Sequence, residues 1–143
     1  MAKPVLISIA GTQRFDGETP ETIELVTRGM YSFEPGLISF SYTETEMTGL
    51  EGVVTTFRIE DETKVTLSRV GKVNSTMVFV PGVRDESLYD CGFGTLLLGV
   101  CPTQLTVLFN ERGGILDLEY AIDIEHTACG VNSYHIEIRP AKD

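Results

Sequence analysis

Apolar and polar residues alternate with period two through most of this chain, the pattern of strands that bury one face and leave the other in water. It is clearest over residues 114–124, where Leu116, Leu118, Tyr120, Ile122 and Ile124 share one face and Asp117, Glu119 and Asp123 the other. Val53, Thr55, Phe57 and Ile59 form a second apolar row against Thr56, Arg58 and Glu60. Ile38, Phe40 and Tyr42 form a third, and Asn132, Tyr134, Ile136 and Ile138 a fourth. Shorter strands are expected at residues 5–13, 64–71, 76–80, 95–101 and 105–109. Around Thr19-Pro20 a helix could start, with Ile23, Val26 and Met30 on one side. The β-branched cluster Thr22, Ile23, Val26 and Thr27 favours a strand there instead, and a strand is the expectation.

Turn chemistry separates these runs. Asp16-Gly17, Glu34-Pro35-Gly36, Thr48-Gly49, Pro81-Gly82 and residues 110–114 supply the Gly, Pro, Asn and Asp that reversals need. Strands broken by turns every 8–12 residues or so indicate a sandwich or a barrel rather than alternating strands and helices. Closure removes the exposed edges that so many antiparallel strands would otherwise leave. The expectation is therefore all-β: one domain over residues 1–143, a closed antiparallel β-barrel of about eight to ten strands. Residues 36–42 and 114–120 echo each other from glycine to tyrosine, but two strands leaving similar glycine turns need no common origin.

Scattered residues carry a family resemblance. Gly29-Met30-Tyr31, residues 41–49 (Ser-Tyr-Thr-Glu-Thr-Glu-Met-Thr-Gly), Thr55-Thr56-Phe57, Arg69-Val70-Gly71, the Gly113-Gly114 turn and Leu118-Glu119-Tyr120 together resemble the YwiB-like family of small bacterial proteins. The resemblance spans almost the whole chain and contains no catalytic signature. It implies a calycin-like or lipocalin-like barrel and a bacterial source; being a domain of unknown function, the family implies no activity.

Charge narrows the partners. With 21 acidic against 11 basic residues the formal net charge is -10, and the bases are dispersed along the chain. Such a surface repels phosphate backbones and anionic lipid heads, so neither nucleic acid nor a membrane is the expected partner. No apolar run reaches the length of an export signal or a membrane span. Cys91, Cys101 and Cys129 form an odd set without a CxxC pair, which fits reduced thiols and a cytoplasmic location.

The chemistry of the sequence is sparse. No GxSxG, GxxxxGK[ST], HExxH or EF-hand pattern occurs, and Gly92-Phe93-Gly94 reads as a bend rather than a phosphate loop. His126, with Glu125 beside it and Cys129 three residues on, sketches the corner of a metal site but lacks the remaining ligands. Neither a catalytic residue nor a metal or cofactor is expected. Parity nominates one constellation. Arg69 lies in line with Val65 and Leu67, Glu44 extends the row of Ile38, Phe40 and Tyr42, and Tyr120 and Tyr134 extend their own apolar rows. Arg69, Glu44, Tyr42, Tyr120 and Tyr134 are thus expected to point into the barrel. An inward guanidinium must be paired, so Arg69 with Glu44 could simply close one end. Alternatively it anchors a small amphipathic or anionic ligand, since its paired donors suit carboxylate and phosphate. A ligand-binding barrel and a filled structural or protein-interaction module are the two functions consistent with this pattern.

Overall fold

The computed structural model describes residues 2–15 and 18–141; the turn expected at Asp16-Gly17 lies outside the described residues. Ten antiparallel strands follow one another around a closed ring: β1 (Lys3–Phe15), β2 (Glu21–Glu34), β3 (Leu37–Thr43), β4 (Val54–Glu60), β5 (Lys64–Val70), β6 (Asn74–Phe79), β7 (Asp85–Asp90), β8 (Thr95–Asn110), β9 (Gly113–Ile124) and β10 (Thr127–Pro140). Each strand pairs with its neighbours in sequence, and β10 returns to β1 from Val5↔Pro140 to Phe15↔Gly130. The strand expected from the β-branched cluster is β2.

Strand length divides the wall. β1, β2, β8, β9 and β10 run 12 to 16 residues, whereas β3 to β7 have only six or seven. Two seams open in the wall, one where tall β2 meets short β3 and one between the short strands β6 and β7. β2 pairs with β3 only from Met30↔Ser41 to Glu34↔Leu37, and β6 meets β7 only at Asn74↔Asp90 and Ser75↔Tyr89. Gly29 marks the point where β3 diverges: a Cβ there would sit 2.3 Å from the Ser41 carbonyl oxygen and 2.5 Å from Ile7 Cδ1. Only glycine lets the two backbones approach that closely.

Two strand expectations change, and one expected turn gains detail. Residues 95–101 and 105–109 belong to one strand, β8, whose register shifts between Pro102 and Gln104. The bulge accommodates a proline that cannot donate to the ladder. β7 gives no period-two apolar signal, because Asp85, Ser87 and Tyr89 make one row and Glu86, Leu88 and Asp90 the other. Thr48-Gly49 closes a short 3-10 turn (Glu46–Thr48), capped by Thr45 and ended by Gly49 at φ 77°.

The end of the barrel carrying the β2–β3 and β8–β9 turns is filled. Phe40 stacks on Phe57 with ring centroids 5.0 Å apart, and Leu67, Leu116, Phe79 and Ile136 are fully buried around them. Tyr31 closes that end by donating its hydroxyl to the Asn110 carbonyl at 2.6 Å. The interior empties toward the opposite end. Among the described residues no helix is long and apolar enough to cross a membrane.

Candidate functional site

At that opposite end a cavity of about 350 Å³ lies between the tops of the strands, and its lining includes Tyr42, Glu44, Arg69, Tyr120 and Tyr134. Tyr42 ends the inward row of β3, and Glu44 follows one residue past the strand with the same facing, so its carboxylate turns into the barrel at 5% exposure. It is held there by hydroxyls: Thr55 donates to Oε2 at 2.5 Å and Thr48 to Oε1 at 3.2 Å. Thr55 is the inward residue opposite Arg69 on the β4–β5 ladder.

Arg69 is held loosely. Its Nη2 donates to the Tyr134 hydroxyl at 3.4 Å, and its Nε is 3.9 Å from Glu44 Oε2 without a hydrogen bond. Its side chain is 12% exposed, so the group is desolvated yet uses little of its five-donor fork. Burial alone discourages the charge, but Tyr134, Tyr42 and Glu44 outweigh it and hold the guanidinium above its ordinary range. Glu44 and Arg69 therefore face each other as an ion pair in distance only; the carboxylate's hydrogen bonds go to threonines.

Three phenols complete the floor. Tyr120 and Tyr134 stack at 6.4 Å, Phe79 packs on Tyr120 at 4.7 Å, and Phe57 meets Tyr134 edge-on at 5.9 Å. Burial pushes both Tyr42 and Tyr120 well above the usual phenol range; Glu44 adds to this at Tyr42, and Tyr134 at Tyr120. Asn132 donates from Nδ2 to the Tyr120 hydroxyl at 3.3 Å, which leaves its buried Oδ1 without a partner among the described residues. The walls are apolar, with Ile23 and Leu25 from β2, Met77, Leu98 and Ile122.

All five residues nominated by parity thus line one cavity, and the pattern also contained two that it did not single out. Asn132 lines the cavity at the start of the row of Tyr134, and Thr55, in the row of Phe57, holds Glu44 from beneath, so a polar residue within an inward row was the available signal. The remaining sequence candidates scatter. His126 faces Glu86 at 3.6 Å, while Cys129 turns its thiol to the Thr127 carbonyl. Among the described residues no group of three or more His, Cys, Asp or Glu is placed to hold a metal. On the solvated acidic face, Asp123 is held by Arg84 through two hydrogen bonds of 2.7 and 3.1 Å. That pair lies over Gly99, and the hydrogen bonds from Arg84 hold the Asp123 carboxyl below its ordinary value.

Residues 7–138 match the family described as "Domain of unknown function (DUF1934)". The chain belongs to this family. The crystal structure of the ywiB protein from Bacillus subtilis is similar to this DUF1934 chain, with a TM-score of 0.83 at 23% identity over 99% of this chain and 94% of that one. At that identity the likeness speaks for the shared fold and for nothing finer. No curated protein matches the DUF1934 chain.

Proposed function

We propose that the protein binds a small amphipathic acid in the cavity, with Arg69 taking the acid group and Tyr42, Tyr120 and Tyr134 flanking it. The observation that carries this reading is the state of Arg69: a desolvated, charged guanidinium that faces a cavity and makes one long hydrogen bond. A carboxylate could accept two parallel bonds from such a fork, exchanging poor contacts for charge-assisted ones. Ile23, Leu25, Met77 and Leu98 offer the apolar contact area, and about 350 Å³ is at the small end of ligand cavities. Glu44 would hold Arg69 in place, its own lone pairs occupied by Thr48 and Thr55. Holding one ligand at the mouth of a closed barrel is the working principle of calycin-like folds, and the filled opposite end leaves one mouth for it. A cytoplasmic location fits three unbridged cysteines.

The second reading, a structural or interaction module without a ligand, is favoured by the short Thr55–Glu44 hydrogen bond, which fixes the carboxylate 3.9 Å from Arg69 at the end of the barrel. Thermal-shift screening against medium-chain fatty acids and aromatic carboxylates separates the two. Ligand binding raises the melting temperature by a few degrees at saturating acid, and Arg69→Ala abolishes the shift. A wild-type protein that no acid stabilises, or an Arg69→Ala variant that still responds, overturns the binding reading.

A further inference from the structure

Among the described residues, β2 is a tall strand whose upper edge has no ladder with the short strand beside it. Among the described residues it pairs from Glu21 to Arg28 only with β1, pairing to β3 begins at Met30, and no backbone hydrogen bond outside the named ladders reaches this stretch, which Met47 borders across a shallow groove beside Glu24 and Val26. An uncovered strand edge is a template for another strand unless something blunts it. Its outward row is Glu24, Val26 and Arg28, all exposed, with Val26 at 62%. Among the described residues neither Glu24 nor Arg28 takes part in an ion pair.

We propose that this edge pairs antiparallel with the same edge of a second copy of the chain, in the register that sets Val26 opposite Val26. Two identical strands paired about a two-fold axis must place one residue opposite its own copy, and only a few centres are available. Centring on Val26 sets Glu24 opposite Arg28 of the second copy, and Arg28 opposite its Glu24, so both charge pairs are favourable and flank the valine contact. Centring on Leu25 sets Glu24 against Val26 and Arg28 against Thr22, which leaves every charge unmatched. Centring on Glu24 opposes two glutamates and sets Arg28 against Pro20, which cannot donate. The self-complementary order of acid, valine and base therefore selects one register, and cross-strand charge pairs act on register and specificity. Pairing ends naturally at Gly29, where β3 takes over the edge.

The same register affects the cavity. Glu21, Ile23 and Leu25, the inward residues of this stretch, line it, so the second copy's strand would lie along the open seam that forms its side wall. The proposal stands whether or not an acid binds there.

Sedimentation equilibrium at tens to hundreds of micromolar protein tests it. The wild type is expected to dimerise, and Arg28→Glu, which opposes glutamates at both ends of the contact, is expected to give monomers with an unchanged circular dichroism melt. Glu24→Arg combined with Arg28→Glu exchanges the two charges and is expected to restore the dimer. A wild type that stays monomeric at hundreds of micromolar overturns the proposal and leaves the edge to a strand from another protein. A dimer indifferent to Arg28→Glu, or one that the double exchange fails to restore, overturns it equally.

Discussion

Glu44 and Arg69 do not stand symmetrically toward each other's loss. If Glu44 becomes glutamine, a guanidinium 12% exposed keeps its charge with only phenols and threonines around it. Leaving a buried charge uncompensated costs about 3 kcal/mol. If Arg69 becomes methionine, Glu44 retains the Thr48 and Thr55 hydroxyls, and the cost falls to about 1 kcal/mol. The double variant should lie well short of the sum of the two losses, a coupling that urea unfolding of all four proteins would expose. Equal and additive losses would show the two groups to be independent. That both residues point inward was legible from parity alone, because a strand fixes which side chains share a face; that they meet depends on the β3–β4 and β4–β5 ladders. That Glu44 gives its hydrogen bonds to threonines was not legible: Thr48 enters from the 3-10 turn and Thr55 from the next strand, distances that no single row records.

At the scale of elements, Gly29 sets where β2 leaves β3. A methyl group there would meet a backbone oxygen rather than the flexible end of a side chain, so the strands must separate to admit it. Gly29→Ala should cost about 2–3 kcal/mol, as overpacked sites do, measurable as a lower denaturation midpoint with the cooperativity kept. Gly99→Ala makes a useful contrast, since its close neighbours are the tips of Arg84 and Asp123, which can swing away into solvent. Strand existence was read from alternation nearly everywhere that one face is apolar and the other polar. It failed for β7, whose two rows both mix polar and apolar residues, and it split β8, because a proline with a bulge reads as an ending when seen without the neighbouring strand. Strand heights, and with them the open seam of β2, depend on which strands pair, and alternation says nothing of pairing.

For the whole molecule, three buried phenols should make alkaline solution the vulnerable direction. Burial pushes Tyr31 up to about 12, and Tyr42 and Tyr120 further in the same direction. In the unfolded chain all three lose their protons near the ordinary phenol value of about 10. Below that pH both states are protonated and the stability is fully present. Above it the unfolded state ionises first, so stability falls as pH rises toward and through the native values. Unfolding free energy measured across that range should drop steadily, and Tyr42→Phe should shallow the slope; a flat profile would mean the phenols ionise without unfolding. The ring of strands has a consequence of another kind. Every link but one joins strands adjacent in sequence, so nearly the whole wall can be laid down by successive short-range hairpins. The single exception, β1 with β10, joins the two ends of the chain through a ladder running from Val5↔Pro140 to Phe15↔Gly130. Bringing ends so far apart together costs roughly 4 kcal/mol of chain entropy, a sum that grows only logarithmically with length. Closure is therefore a single late debt settled by one long zipper, and the chain's beginning cannot finish its fold until its end has been made.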